Sequence, residues 1–292
     1  LQSGEAGRFS LDLSFQYIDQ DQPRIGTRRA HVGEIASDHD EIRTINRLAT
    51  LQLNYALTER FQVALAVPYV SRSHEHFDEA AARIERWNFG NMGDATLQAR
   101  LRLFTTHGQA HSSLWLTGGA KLATGSRHET GSSGEDAEVT ITPGTGSTDA
   151  LFGVTYQSAV VRDTRLGGML GHATLIPFFV ALSGRVNGHG TNGYHRGDEL
   201  QLNTGTEYPL SPKVHLLGQV NGRISSKDDV GETKENRDLT GGRYLYVSPG
   251  LRVVVGQGTS VYGFVQVPVY QRVNGLQLTA KANYVAGIRK SF

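Results

Sequence analysis

The chain has no cysteine, and Met and Trp occur only twice each in 292 residues. Without cysteine there can be no disulfide, thiolate metal site or cysteine nucleophile, and a periplasmic assembly route is compatible with that. Long apolar runs are missing too. No stretch approaches the roughly 20 consecutive apolar residues that a spanning helix needs, so a helical membrane protein is excluded. Neither sign of charge dominates: the formal net charge is +1 and no basic tract stands out, which argues against a nucleic-acid partner. Hydrophobic residues make up 38% and rarely cluster, so a large soluble core is poorly supplied. No export signal is visible at Leu1, so an exported chain is expected to begin here in mature form.

What the sequence does have is alternation. Side chains on a strand point to opposite faces in turn. Over 276–292, Leu276, Leu278, Ala280, Ala282, Tyr284, Ala286 and Ile288 share one face, while Gln277, Thr279, Lys281, Asn283 and Arg289 share the other. The same pattern places Phe9, Leu11, Leu13, Phe15 and Tyr17 opposite Ser10, Asp12, Ser14 and Gln16. It recurs with Ala49, Leu51, Leu53 and Tyr55, and with Leu97, Ala99, Leu101 and Leu103. Such segments predict about twelve strands, at 8–18, 42–56, 61–71, 92–104, 112–123, 148–159, 169–183, 198–209, 212–225, 241–256, 259–271 and 275–292. Several exceed the roughly 5–6 residues usual in globular sheets and reach the roughly 9–11 that cross a bilayer at a tilt.

The connections alternate in length. Long polar ones fall near 19–41, 72–91, 124–147, 184–197 and 226–240, and short ones near 57–60, 105–111, 160–168, 210–211 and 257–258. The last long-side connection, around Val273-Asn274-Gly275, is a tight turn and the exception. Phe9, Tyr55, Phe61, Tyr156 and Tyr208 mark one rim, and Tyr17 and Tyr69 the other, as aromatic girdles do. The expected fold is all-β: a single transmembrane antiparallel up-and-down β-barrel of about twelve strands, one domain over 1–292, with short periplasmic turns and longer extracellular loops. A soluble β-sandwich explains the alternation but not the strand length or the loop asymmetry.

Several short motifs occur in order along this pattern: Tyr55-Ala-Leu-Thr-Glu-Arg-Phe61, Val67-Pro-Tyr69, Gly93-Asp94, Lys121-Leu-Ala-Thr-Gly125, Pro143-Gly-Thr-Gly-Ser-Thr-Asp149, Arg196-Gly-Asp-Glu-Leu200, Ser248-Pro-Gly-Leu251, Val267-Pro-Val-Tyr-Gln271 and Asn274-Gly-Leu-Gln277. Together they resemble the outer-membrane transporters associated with phenol-degradation pathways, with Ala123 standing where that family has proline. The closing Phe292 resembles the signal by which barrel-assembly machinery recognises its clients. The resemblance implies a barrel with a transport-like role in the bacterial outer membrane and names no substrate.

A twelve-stranded barrel lies between the roughly eight strands that close on side chains and the 16–18 that leave a wide channel, so a narrow polar pore is expected. Seven cations (Arg100, Arg102, Lys121, Arg223, Arg252, Lys281 and Arg289) fall on expected inward faces, against Asp94, Asp149, Glu199 and Glu207, with His215 as a titratable neighbour. The expected pore-lining set is Arg100, Arg102, Lys121, Glu199, Gln201, Arg223, Lys281 and Arg289. Such a basic lumen would favour anionic or polar aromatic solutes, unless the charges only pair with one another. The expected function is therefore a porin-like channel for passive passage of small solutes, whose partners are outer-membrane lipid and the solute. The alternative is a structural or partner-binding outer-membrane barrel (scaffold, receptor or adhesin), with an outer-membrane hydrolase ranked behind it.

No enzyme, cofactor or metal site is expected. Gly-x-Ser-x-Gly is absent, and His172 and His215 lie on different expected strands, away from an obvious serine. His74-Glu75-His76 places two imidazoles on one side of a strand, but in an expected exposed loop without a third ligand; His107 and His111 bracket a turn. Arg196-Gly-Asp198 runs into a strand and is assigned no binding role. The Gly-, Ser- and Thr-rich loop 124–147 is the expected segment to fold inward and narrow the pore.

Overall fold

A computed structural model of the protein describes residues 7–34, 39–78, 82–106, 111–131, 134–163, 173–233 and 235–292. Among these residues the chain forms β1 (Phe9–Ile25), β2 (Arg28–Arg29), β3 (His39–Ala56), β4 (Phe61–Asp78), β5 (Arg83–Met92), β6 (Thr96–Thr105), β7 (Ser113–Lys121), β8 (Asp149–Asp163), β9 (Ala173–Val186), β10 (Glu199–Pro209), β11 (Val214–Ser225), β12 (Gly242–Gly256), β13 (Thr259–Val273) and β14 (Leu276–Ser291). All but β2 and β5 join in a closed 12-strand antiparallel barrel. The seam is β14 against β1, with Leu13 opposite Ile288 and Phe15 opposite Ala286. Closure leaves no unpaired edge around the ring, which lipid would not tolerate.

The barrel is inside-out by the standards of a soluble protein. Leu13, Leu97 and Leu202 each keep about half of their surface exposed (50%, 51% and 53%), whereas Ser248 is at 0% and Asp149 at 1%. Exposed leucines, valines and aromatics alternate along the strands, so the apolar surface is a continuous belt. Soluble monomers rarely carry apolar patches beyond a few hundred Å²; a belt of this kind is what a lipid-facing barrel wall requires. At the end that carries the termini, Phe9 stacks on Phe292 at 4.3 Å. At the other rim Tyr17 and Tyr284 lie 6.4 Å apart on the outer face.

Each expected strand corresponds to one barrel strand, but the extracellular side holds more sheet than expected. Segment 72–91 is not a loop. β4 runs on to Asp78 and β5 returns against it from Arg83 to Met92, while β6 takes the membrane half of β4 at Phe61–Ala66. The extension is stable because its inner face buries Val70, His74, His76 and Trp87. β1 likewise continues to Ile25, and β3 starts at His39, which shortens the expected 19–41 loop. The expected start at 92 moves to Thr96, because the chain breaks its ladder at Gly93 and Asp94. A Cβ at Gly93 would lie 3.1 Å from Pro68 Cγ and 3.3 Å from the Pro143 carbonyl, so the backbones meet there. Most of the expected 160–168 turn lies outside the described residues, as do His107 and His172.

Candidate pore and its constriction

The interior face of the barrel is polar and holds a series of cavities. The cavity at the extracellular mouth has a volume of about 670 Å³ and includes Glu41, Arg72, Glu138, Arg196, Arg223 and Glu235 in its wall. The next, of about 590 Å³, lies at the waist and shares Arg72 and Arg223 with it. Towards the periplasmic end a cavity of about 440 Å³ is walled by Phe179, Glu207, Arg252, Tyr262, Phe264 and Arg289. A fourth, of about 420 Å³, runs along the wall past Gln52, Gln98, Thr155 and Gln201.

The mouth is narrowed by the loop joining β7 to β8. Its 138–142 turn sits inside the barrel: Ile141 and Thr142 are buried, and Glu138, Thr140 and Ile141 line the mouth cavity. Arg72 of β4 donates to the Ile141 carbonyl, and Arg196 Nη2 donates to the carbonyls of Val139 (3.3 Å) and Thr140 (3.2 Å). Thr140 also donates to Glu235 of the β11–β12 loop at 3.5 Å. Burial, followed by the nearby Glu138 carboxylate, pushes the Glu235 carboxyl up to about 7.

The ends of this loop are clamped by a buried ion cluster. Lys121 Nζ lies 2.8 Å from Asp94 Oδ2 and 3.0 Å from Asp149 Oδ2, and it donates to Ser147 Oγ at 3.2 Å and to Thr145 Oγ1. Asp94 accepts from the backbone N–H groups of Gly125 and Thr145 at 2.8 Å each. Burial alone would raise the Asp94 carboxyl, but Lys121 and these N–H groups hold it below the usual carboxylate range. Asp149 Oδ1 accepts from Ser147 Oγ at 2.7 Å and from Gly188 N–H at 3.1 Å. A Cβ at Gly125 would stand 2.7 Å from both Gly144 Cα and the Gly93 carbonyl carbon, so only glycine permits this approach. The Gly93-Asp94, Lys121–Gly125 and Pro143–Asp149 motifs, far apart in sequence, thus meet at one place.

Five further expected lumen cations sit on the interior face with paired or stacked partners. Arg289 Nε donates to Asp12 Oδ2 at 2.8 Å, and Tyr262 donates to the other oxygen of Asp12 at 2.7 Å. Arg100 and Arg102 lie 5.1 and 5.6 Å over the buried Trp115 ring, and Arg102 reaches Glu59 at 3.6 Å. Arg252 pairs with Glu207, which also has His215 at 2.7 Å. Arg223 stands 4.5 Å over Tyr244 and, with Glu199 and Gln201, lines cavity walls.

Two expected positions need correction. Lys121 is buried in the loop clamp, its ammonium held between Asp94 and Asp149. Lys281 is turned outward: Ile18 faces Asn283 and Gln20 faces Ala280, so Lys281 and Ala282 together oppose the single residue Asp19 in a bulge. Lys281 then pairs with Asp21 at 3.1 Å and stays 65% exposed.

The histidine pair also departs from expectation. His74 and His76 lie on β4 and are buried, with Trp87 4.7 Å from the His76 ring. Thr44 Oγ1 is 2.8 Å from His74 Nδ1, and Glu85 is 3.1 Å from His76 Nε2, so both rings serve the hairpin core. Among the described residues no group of three or more His, Asp or Glu is arranged to hold a metal. In the Arg196-Gly-Asp198 tripeptide, Arg196 holds the plug loop and Asp198 accepts from Asn187 N–H at 2.8 Å, both structural tasks. Sequence reasoning missed Asp12, Arg72 and Trp115, though Asp12 stood on the recognised inward face of 8–18.

The fold has solved counterparts. The chain is similar to the COG4313 outer membrane channel from Pseudomonas putida F1, at 12% identity and a TM-score of 0.69, covering 100% of this chain and 97% of that one. It is also similar to the transport unit of the autotransporter AIDA-I from Escherichia coli, at 11% identity and a TM-score of 0.50, covering 100% and 92%. No family model matches the sequence, and no curated protein matches it. At such identities the likeness carries the fold alone, a closed antiparallel β-barrel, and the exposed apolar belt is what suits that barrel to lipid.

Proposed function

We propose that the protein is a passive channel for small polar solutes across the outer membrane. The observation that carries this reading is the series of cavities from the loop-narrowed mouth to the periplasmic end, lined by charged and amide side chains that aromatic rings join at the periplasmic end, inside a wall whose outside is apolar. The sequence resemblance to outer-membrane transporters supports it, as does the likeness in fold to a protein described as an outer membrane channel. Arg100, Arg102, Glu199, Gln201, Arg223 and Arg289 would line the path, with Lys121 holding the constriction in place.

The expected anion preference is reduced by pairing. Lys121, Arg252 and Arg289 each face carboxylates, and Lys281 points away from the lumen. Of the expected lumen cations, that leaves Arg100 and Arg223, each over an aromatic ring, and Arg102, shared between the Trp115 ring and Glu59, to bias the field. The reading therefore carries weak anion selectivity. Single-channel recording of the purified protein in a planar bilayer tests it. Stable openings with a slight anion preference, reduced by Arg100→Ala combined with Arg102→Ala, are expected. A folded barrel that never conducts would overturn the reading.

A further inference from the structure

The waist differs in chemistry from the cavities on either side. Nine of its nineteen wall residues are carboxamides, five Gln and four Asn, and among the described residues its wall includes no carboxylate. Strand register sets them in rungs. Gln201, Arg223 and Tyr244 stand opposite one another across β10, β11 and β12, and the next rung is Asn203, Asn221 and Tyr246. Asn221 Nδ2 donates to Asn203 Oδ1 at 2.9 Å, and Ser248 Oγ donates to Asn221 Oδ1 at 2.8 Å, so these amides are held in one orientation. Asn283 donates to Gln266 at 3.3 Å on β14 and β13. The Tyr244 and Tyr246 rings lie 6.3 Å apart and 12° from parallel, with Arg223 engaged over the first.

An amide offers donors and acceptors side by side, and a shared hydrogen bond uses only part of that capacity. An apolar solute would strip water from these amides and return nothing, at a cost for each group left unsatisfied. Two guanidinium groups share the wall, but Arg223 is engaged over Tyr244 and Arg72 donates to Asn46 Oδ1 and the Ile141 carbonyl, so an anion would meet amide oxygens alongside cations already in use. A hydroxyl is both donor and acceptor and matches either end. The volume of about 590 Å³ is within the roughly 300–1,000 Å³ of small-molecule sites. We propose that the waist is a binding subsite for a neutral polyhydroxylated solute, a sugar or polyol, seated on the Tyr244–Tyr246 faces and hydrogen-bonded by the surrounding amides. The proposal rests on the channel reading and names its solute class.

The test is single-channel recording with sucrose and, separately, benzoate in the bath. Sucrose should interrupt the current reversibly and in proportion to concentration, and benzoate at the same concentration should not. Tyr244→Ala and Asn203→Ala should each shorten the sucrose interruptions at least about tenfold, with heat-modifiable gel migration confirming that the barrels fold. Leu245→Ala, on the lipid face of the same strand, should leave the interruptions unchanged. An open channel indifferent to sucrose, or one interrupted equally by benzoate, would overturn the subsite while leaving the channel reading intact. A barrel that never conducts would overturn the channel reading, and calorimetric titration of the detergent-solubilised protein with sucrose then decides the subsite: heat of binding lost in Tyr244→Ala supports it, and no heat rejects it.

Discussion

The two ends of the interior solve opposite problems. At the extracellular end, backbone from the β7–β8 loop is brought inside the barrel, and its polar groups are satisfied by Arg72, Arg196 and the Lys121–Asp94–Asp149 cluster. At the periplasmic end the wall itself supplies bulk but keeps it flat. The Phe179, Tyr262 and Phe264 rings lie against Gly205, Gly287 and Gly250 of neighbouring strands, where a Cβ would fall 2.7, 2.5 and 2.5 Å from ring carbons. One end is narrowed by an inserted loop, and the other stays open because glycine lets large rings lie down. The loop sets the constriction at one end, and the flattened rings keep a cavity of about 440 Å³ at the other, so the two should respond differently to mutation.

The strongest way to break this contrast is to release the clamp. Lys121→Ala leaves Asp94 and Asp149 buried without their cation, a change that typically costs about 3–5 kcal/mol. Chemical denaturation should show that loss, and bilayer recording should show conductance raised several-fold with greater noise; deletion of 127–141 should raise it with a smaller loss of stability. Conductance unchanged in both variants would mean that the loop does not set the constriction. A smaller effect of opposite sign is expected at the other end. Gly287→Ala forces Tyr262 off the wall and into the chamber, with an overpacking cost of about 1–3 kcal/mol and a fall in conductance. An unaltered conductance would show that the ring has room to slide along the wall.

The smallest effect concerns pH. Glu235 is held at about 7 by burial and by the Glu138 carboxylate, against the Thr140 hydrogen bond that favours its charged form, so in acid it is protonated and its repulsion from Glu138 is relieved. That stabilisation is fully present below the unfolded carboxylate pKa and is lost as pH rises through 7. Conductance should be modestly higher at pH 8 than at pH 5, and Glu235→Gln should flatten the difference. A profile identical in wild type and Glu235→Gln would remove this contact from the constriction.

Much of the barrel was legible because period-two alternation is a local signal, written in every strand from Phe9 to Tyr17 and from Leu276 to Ile288. Loop lengths gave its orientation. The β4–β5 extension was not legible, since Ser71 to Asp78 carries polar and charged residues on both faces and reads as loop. Its buried Trp87 lies on the returning strand β5, and Ile141 comes from the distant β7–β8 loop. For the pore, parity placed Arg100, Arg223 and Arg289 on the inward face but misplaced Lys281, because one bulged residue reverses the facing of its neighbours along the strand and a bulge leaves no mark in composition.

The sequence by itself determined the class of structure: strand after strand with apolar outward and polar inward residues, a closed ring, and a home in lipid. Those properties arise from alternation and backbone hydrogen bonding, which depend on neighbours in the chain. Only the tertiary structure decided which interior charges are free. Asp12 meets Arg289, Glu207 meets Arg252, and Lys121 meets two aspartates, across separations that no local pattern encodes. Charge pairing in the lumen depends on register around the whole ring, and register is fixed when the barrel closes.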